Sequence, residues 1–329
     1  LLPDRSSPPK LGLPRKLDLP EIQTSALSNS IPVYLMEKHN VPIVQIILQV
    51  NSGNLHDPDD RVGLASFTAS MLDEGAAGMN ALELADAVDF LGANLGTDSG
   101  RYTTTISLNV PISKLENAIP LMADIALRPS FPEKELSRMK TRSLTSLLQQ
   151  RDSPNAIARA AYSKVIFGDH PFGRRIGEAS IKSTSVEDLR AFHTKHFVAS
   201  NVKFIVVGDI DMFTAKRHLE THFGNWVSGE FSQIKVSAVP QVDGRNLYLV
   251  DKPGAAQSVI IIGRMAVSRY SEHFYPITVM NTVLGGSFTS RLNYNLRETH
   301  GYAYGAGSRF GMGKHKSPFT ASASVQTDA

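Results

Sequence analysis

Arg297 and Tyr304, seven positions apart, have side chains suited to holding a polarised carbonyl. The planar arginine fork donates paired hydrogen bonds to a carbonyl or carboxylate, and a tyrosine hydroxyl donates to a carbonyl oxygen or to a developing oxyanion. Both lie in a dense segment. Gly285-Gly286-Ser287-Phe288-Thr289-Ser290-Arg291-Leu292 leads into Leu296-Arg297-Glu298 and then Gly301-Tyr302-Ala303-Tyr304. Gly285 and Gly286 read as permissive turn residues that also admit close packing. Arg291, after a Gly-Ser-rich turn, reads as a structural tie to a helix start or to backbone carbonyls.

Other candidate chemistry is sparser. Ser66 and Ser70 lie in the helical stretch Gly63-Leu64-Ala65-Ser66-Phe67-Thr68-Ala69-Ser70-Met71-Leu72, and no Gly-x-Ser-x-Gly elbow makes either a nucleophile. His193 and His196 are three apart and His218 and His222 four apart on helical stretches, so each pair could chelate. Such pairs are usually ordinary, partly exposed surface or interface residues. The absence of cysteine excludes disulfides and thiolate metal sites.

The elements that must position these residues repeat. Val33-Tyr34-Leu35-Met36-Glu37-Lys38 is echoed by Leu247-Tyr248-Leu249-Val250-Asp251-Lys252, and each precedes an apolar strand, Val44–Val50 and Ser258–Ile262. A helical stretch and a glycine-marked strand follow in both halves, Leu91–Asp98 and Gly301–Ala306, then alternation at Thr103–Val110 and Phe319–Val325. Leu115–Leu127, Glu133–Arg151 after Pro132, and Met212–Phe223 read as helices, and Phe204–Val207 as a strand ending at Gly208. The expectation is an α+β fold of two homologous units: an arm at 1–20, a first unit at 21–229 with a linker near Val227–Val242, and a second at 230–329. Measured by the repeat, the second unit is incomplete by about a hundred residues.

With 34 basic and 31 acidic residues in 329, the net charge of +3 is a small excess without a basic run, which excludes a nucleic-acid groove. No stretch approaches the roughly 20 apolar residues of a membrane span. Cysteine avoidance and a Pro-rich, basic start without an apolar signal core favour a trimmed periplasmic protein, with the cytoplasm as the alternative.

The Gly285–Tyr304 segment and the Gly63–Leu72 frame, closed by Asp73-Glu74-Gly75, together resemble the M16 (pitrilysin, or inverzincin) family of zinc peptidases, of the M16B type. In that family the helix carries His-x-x-Glu-His, with two zinc-binding imidazoles one turn apart and a general base between them. Those positions are Ser66, Ala69 and Ser70 here, and the family spacing puts the third ligand at Ser146. Serine is a poor zinc ligand, so the resemblance implies no cofactor in this chain.

The resemblance further implies a non-zinc subunit of a heterodimeric peptidase, in which Arg297 and Tyr304 face the zinc of a partner subunit across a chamber holding an unfolded peptide. Asn94, Leu95 and Gly96 fall where the family's edge strand pairs with substrate. The rival readings are an inert structural or peptide-binding subunit, like the core proteins of respiratory complexes, and a self-contained hydrolase. The α subunit of mitochondrial processing peptidases fits less well, because its long glycine-rich loop has only the short Gly285-Gly286-Ser287 as counterpart.

Overall fold

Alternating apolar residues build the main sheet of the chain, a computed structural model describing residues 12–13, 19–231 and 234–327. Most of the expected arm at 1–20 lies outside the described residues. Strands β1 (Gln23–Ala26), β2 (Pro32–Glu37) and β3 (Ile43–Val50) are followed by helix α1 (Leu64–Met71), the short pair β4 (Gly75–Ala76) and β5 (Met79–Asn80), and helix α2 (Ala81–Phe90). Then come β6 (Asn94–Ser99), β7 (Thr104–Pro111), helices α3 (Leu115–Leu127), α4 (Glu133–Asp152), α5 (Pro154–Phe167), α6 (Glu178–Ser183) and α7 (Val186–His196), strand β8 (Val202–Gly208) and helix α8 (Met212–Phe223).

The sheet order is β1-β2-β8-β3-β7-β6, antiparallel except where β8 runs parallel to β2. Every second residue of β3, β7 and β8 is buried, including Ile46, Leu48, Ile106, Leu108, Phe204 and Val206, which join Ile119 and Met122 of α3 in one core. Phe204 also meets Phe223 of α8 edge to face, with ring centres 4.8 Å apart. Each such buried side chain contributes about 1.5–3 kcal/mol. Local signals set the helix starts: Asn80 and Glu83 form a capping box on α2, Ser185 and Asp188 another on α7, and Asp211 accepts from the Thr214 amide at α8.

The second unit comprises β9 (Gln257–Met265), α9 (Phe274–Asn281) running into a π-helical turn at Thr282–Gly286, α10 (Arg291–Asn293) running into another at Tyr294–Thr299, β10 (Ala303–Phe310) and β11 (Pro318–Gln326). Its antiparallel order β10-β11-β9 reproduces β6-β7-β3 of the first unit, which is the repeat seen in the sequence. Helix α5 packs on β9, and the Tyr162 hydroxyl donates to the Phe319 carbonyl at 3.0 Å. The described part of Val227–Val242 has neither helix nor strand. Ile260 and Ile262 of β9 are exposed, and α9 has no buried residue.

One expected strand does not form. Leu247–Lys252 runs as irregular chain with Leu247 97% and Leu249 91% exposed, although its sequence echoes β2. In the first unit β2 is held between β1 and β8, and among the described residues no strand lies along 247–252. Alternation without a partner leaves the backbone groups unpaired, and the strand is lost. No helix among the described residues is long and apolar enough to cross a membrane.

Candidate functional site

Gly63, just before α1, adopts φ +100°, a conformation that suits glycine but leaves the helix start without a capping side chain. Asp57 supplies the cap from upstream, its two carboxylate oxygens accepting from the Gly63 and Ala65 amides at 2.7 Å each. Burial pushes its pKa up to about 6, against the pull of those two amides and of Arg174.

The anchored helix lies beside β6. The half-buried Ser66 hydroxyl donates to Asn54 Oδ1 at 3.0 Å, and Ser99 of β6 approaches the same oxygen at 3.5 Å. Ala69 is a buried methyl, Ser70 is exposed, and Ser146 is exposed on α4, where its hydroxyl accepts from Gln150 at 3.4 Å. A methyl and three neutral hydroxyls do not fit Zn²⁺. Among the described residues no group of three or more His, Asp or Glu side chains is placed to hold a metal.

The histidine pairs are not arranged as chelates. His193 Nε2 faces the Ala126 carbonyl at 2.9 Å and its ring stacks on Phe197, whereas His196 turns to His56, ring centres 5.1 Å apart. Burial, followed by the neighbouring His56 and Lys195, lowers the His196 pKa to about 4. His218 and His222 remain half-buried on α8, and burial lowers the His218 pKa.

Asn94, Leu95 and Gly96 open β6, the last strand of the main sheet, whose outer edge has no partner strand among the described residues. Such an edge offers unpaired amides and carbonyls to an extended chain.

Arg297 and Tyr304 converge in the second unit. The Arg297 guanidinium carbon is 5.1 Å from the centre of the Tyr304 ring and 4.6 Å from that of Phe288. Its Nε also pairs with Glu298 at 3.3 Å. Tyr304 is 86% exposed, so its hydroxyl is available to another molecule. Arg297 sits in the π-helical segment, and Tyr304 on a bulge of β10. Pairing passes from Ala303 with Val325 to Ala306 with Ala323, so Tyr304 and Gly305 oppose Ser324 alone.

Packing beneath the pair meets one expectation in part and corrects another. Gly285 lies within the π-helical turn rather than a loop turn, and a Cβ there would meet Ser308 Oγ at 2.4 Å and its amide nitrogen at 2.5 Å. Its requirement is close approach, reinforced by Asn281 and Ser308, which exchange two hydrogen bonds at 3.0 and 2.8 Å. Arg291 is exposed at the start of α10 and makes no side-chain hydrogen bond to a carbonyl among the described residues, so it is not the tie its position implied.

The sequence reading missed Phe288, Asn293, Asn54 and Asp57. Phe288 and Asn293 stand within the segment that carries Arg297, and that proximity was the available signal. Among the described residues, no hydrogen bond or ion pair links Arg297 or Tyr304 to α1, β6 or Ser146.

Residues 33–179 match the family described as Insulinase (Peptidase family M16), and residues 183–329 match the Peptidase M16 inactive domain. The chain is 26% identical over 245 residues to an uncharacterized zinc protease of Mycobacterium leprae, covering 74% of this chain and 55% of that protein. It is 23% identical over 292 residues to the non-peptidase homolog YmxG of Helicobacter pylori, covering 86% and 67%. The crystal structure of a peptidase M16 inactive domain from Pseudomonas fluorescens superposes with a TM-score of 0.84 at 25% identity, covering 93% of this chain and 74% of that one.

Proposed function

Because the chain belongs to the M16 peptidase family, we propose that it is the non-zinc-binding subunit of a heterodimeric M16B peptidase, supplying Arg297 and Tyr304 to an active site completed by a partner. The observation that carries this reading is the convergence of the Arg297 guanidinium and the exposed Tyr304 ring on one face of the second unit. The zinc-motif positions Ser66, Ala69, Ser70 and Ser146 are degenerate in this reading, so the partner holds the metal and the water it activates. The residues of this chain bind and orient an unfolded peptide. Arg297 directs its donors at a peptide carbonyl, and the Tyr304 hydroxyl donates to the oxygen as negative charge develops on it. The open edge of β6 gives an extended peptide a second hold. The periplasm is the favoured compartment.

Peptide hydrolysis and zinc content test the reading, measured for this chain alone, for a zinc-bearing M16 partner alone, and for their mixture. Activity confined to the mixture supports a shared site. Activity of this chain alone sinks it. A mixture that assembles and contains zinc but does not outperform the partner alone favours the second reading, an inert structural or peptide-binding subunit, which the non-peptidase homolog from H. pylori also supports.

A further inference from the structure

We propose that Asn293 is the positioning residue of the Arg297–Tyr304 site, a role that rests on the function proposed above. Asn293 is 4% exposed, and its side chain makes two bonds to different elements. Its Nδ2 donates to the Phe288 carbonyl at 2.6 Å, and its Oδ1 accepts from the Ala306 amide at 3.0 Å. Phe288 is the ring beneath the Arg297 guanidinium, Ala306 is the residue at which the β10 ladder resumes after the bulge, and Tyr304 rides on that bulge. Arg297 itself stands four residues beyond Asn293, about one helical turn. One buried amide therefore ties together the platform, the bulge and the turn that bring the three functional groups into register.

The chemistry of the tie is specific. Only a group with a donor on one side and an acceptor on the other satisfies both neighbours, and asparagine in this orientation does so. An ionised aspartate keeps the bond from Ala306 but sets a carboxylate oxygen against the Phe288 carbonyl. A protonated aspartic acid restores one donor and one acceptor in nearly the same shape. Asn293→Asp should therefore disrupt the site at high pH and recover it at low pH, which a volume-filling role would not produce.

The readout is the Nε–H proton resonance of Arg297 in the full chain, assigned by its loss in Arg297→Lys. Between two aromatic rings it should lie away from the bulk arginine position in the wild type, at about pH 8 and about pH 5 alike. In Asn293→Asp with a native amide spectrum, the displacement should vanish at the higher pH and return at the lower, and any other pattern overturns the proposal. Asn293→Ser, whose hydroxyl is too short to reach the Phe288 carbonyl and the Ala306 amide together, breaks the bridge without adding charge and decides the matter if the Asp variant does not fold: a bulk-position signal in a native spectrum supports the tie, a displaced one refutes it. Hydrolysis by the mixture with a zinc-bearing partner is scored separately, with kcat expected to fall about 10²-fold in Asn293→Ser, as for a misplacement of about 1 Å. An unchanged kcat overturns the positioning role. Loss of the displacement together with inactive mixtures supports the placement by Asn293 while ending the shared-site function.

Discussion

The guanidinium carbon of Arg297 lies 5.1 Å from the centre of the Tyr304 ring, although one residue belongs to a π-helical turn and the other to a bulged strand. Cation–π contact with an exposed ring is worth about 0.5–1 kcal/mol, too little by itself to explain why two irregular elements meet. The pair leaves Tyr304 86% exposed and the Arg297 side chain 30% exposed, which suits recognition of a carbonyl better than internal stabilisation. Tyr304→Phe should keep the ring contact and remove only the donor, lowering kcat of the mixed complex by about 10²–10³ while assembly is unchanged. Assembly measured by sedimentation and turnover measured by peptide hydrolysis separate the two effects.

Arg297→Lys is the companion substitution. Lysine keeps the charge but loses the planar fork and its stacking, so restoration of less than a tenth of wild-type kcat/KM is expected. An Arg297→Ala complex that turns over peptide at the wild-type rate would remove Arg297 from the site.

Gly285→Ala tests the support rather than the chemistry. Its Cβ would press on both the side chain and the backbone nitrogen of Ser308, and backbone atoms cannot swing aside as a flexible side chain can. A loss of about 1–3 kcal/mol is expected in chemical unfolding. Because Ser308 lies on β10, the same strain should reach the bulge carrying Tyr304 and lower activity beyond what stability explains.

The legible parts of this fold are those in which local pattern and long-range pairing agree. Leu115–Leu127 and Met212–Phe223 form helices at the bounds their periodicity implies, since each buries one apolar stripe against the main sheet. Val33–Lys38 and Leu247–Lys252 carry the same alternation, yet only the first becomes a strand, because β8 arrives from far along the chain to pair with it. Arg297 and Tyr304 could be singled out from the sequence as a candidate pair, whereas Phe288 and Asn293 acquire meaning only through a stacking distance and two hydrogen bonds. Asp57 was invisible for the same reason: its helix cap comes from outside the helix, not from the residue immediately preceding α1.

Asp57 also gives the stability curve a recognisable feature. Its folded pKa of about 6 is above the ordinary aspartate value of 3.8, so the native state holds the proton more tightly. The stabilisation from that proton is full below about pH 4 and is lost as pH rises through about 6. Two pKa units correspond to about 3 kcal/mol. In urea titrations, the stability of the wild type relative to Asp57→Asn should therefore fall by up to that amount between about pH 4 and 6.5 and then level off. A difference independent of pH would show that the carboxylate titrates normally.

His196 slopes the other way. Burial and the neighbouring His56 hold its imidazole neutral to about pH 4, so its contribution is intact above the ordinary histidine value of 6.5 and is lost as pH falls toward 4. About 2.5 units correspond to about 3 kcal/mol, opposite in sign to the Asp57 effect over nearly the same range. His56, whose own pKa burial lowers, adds to the acid loss because a proton on either ring disfavours one on the other. His196→Phe keeps an aromatic ring beside Phe192 and His56 while removing the titration. Relative to this variant, the wild type should lose stability as pH falls from 6.5 to 4, and the wild-type curve should be flatter in that window than that of either His196→Phe or Asp57→Asn. If His196→Phe leaves the acid limb unchanged, protonation of His196 is not what loosens the junction between residues 51–56 and 196–201, where the Asn51 amide pairs with the Asn201 carbonyl.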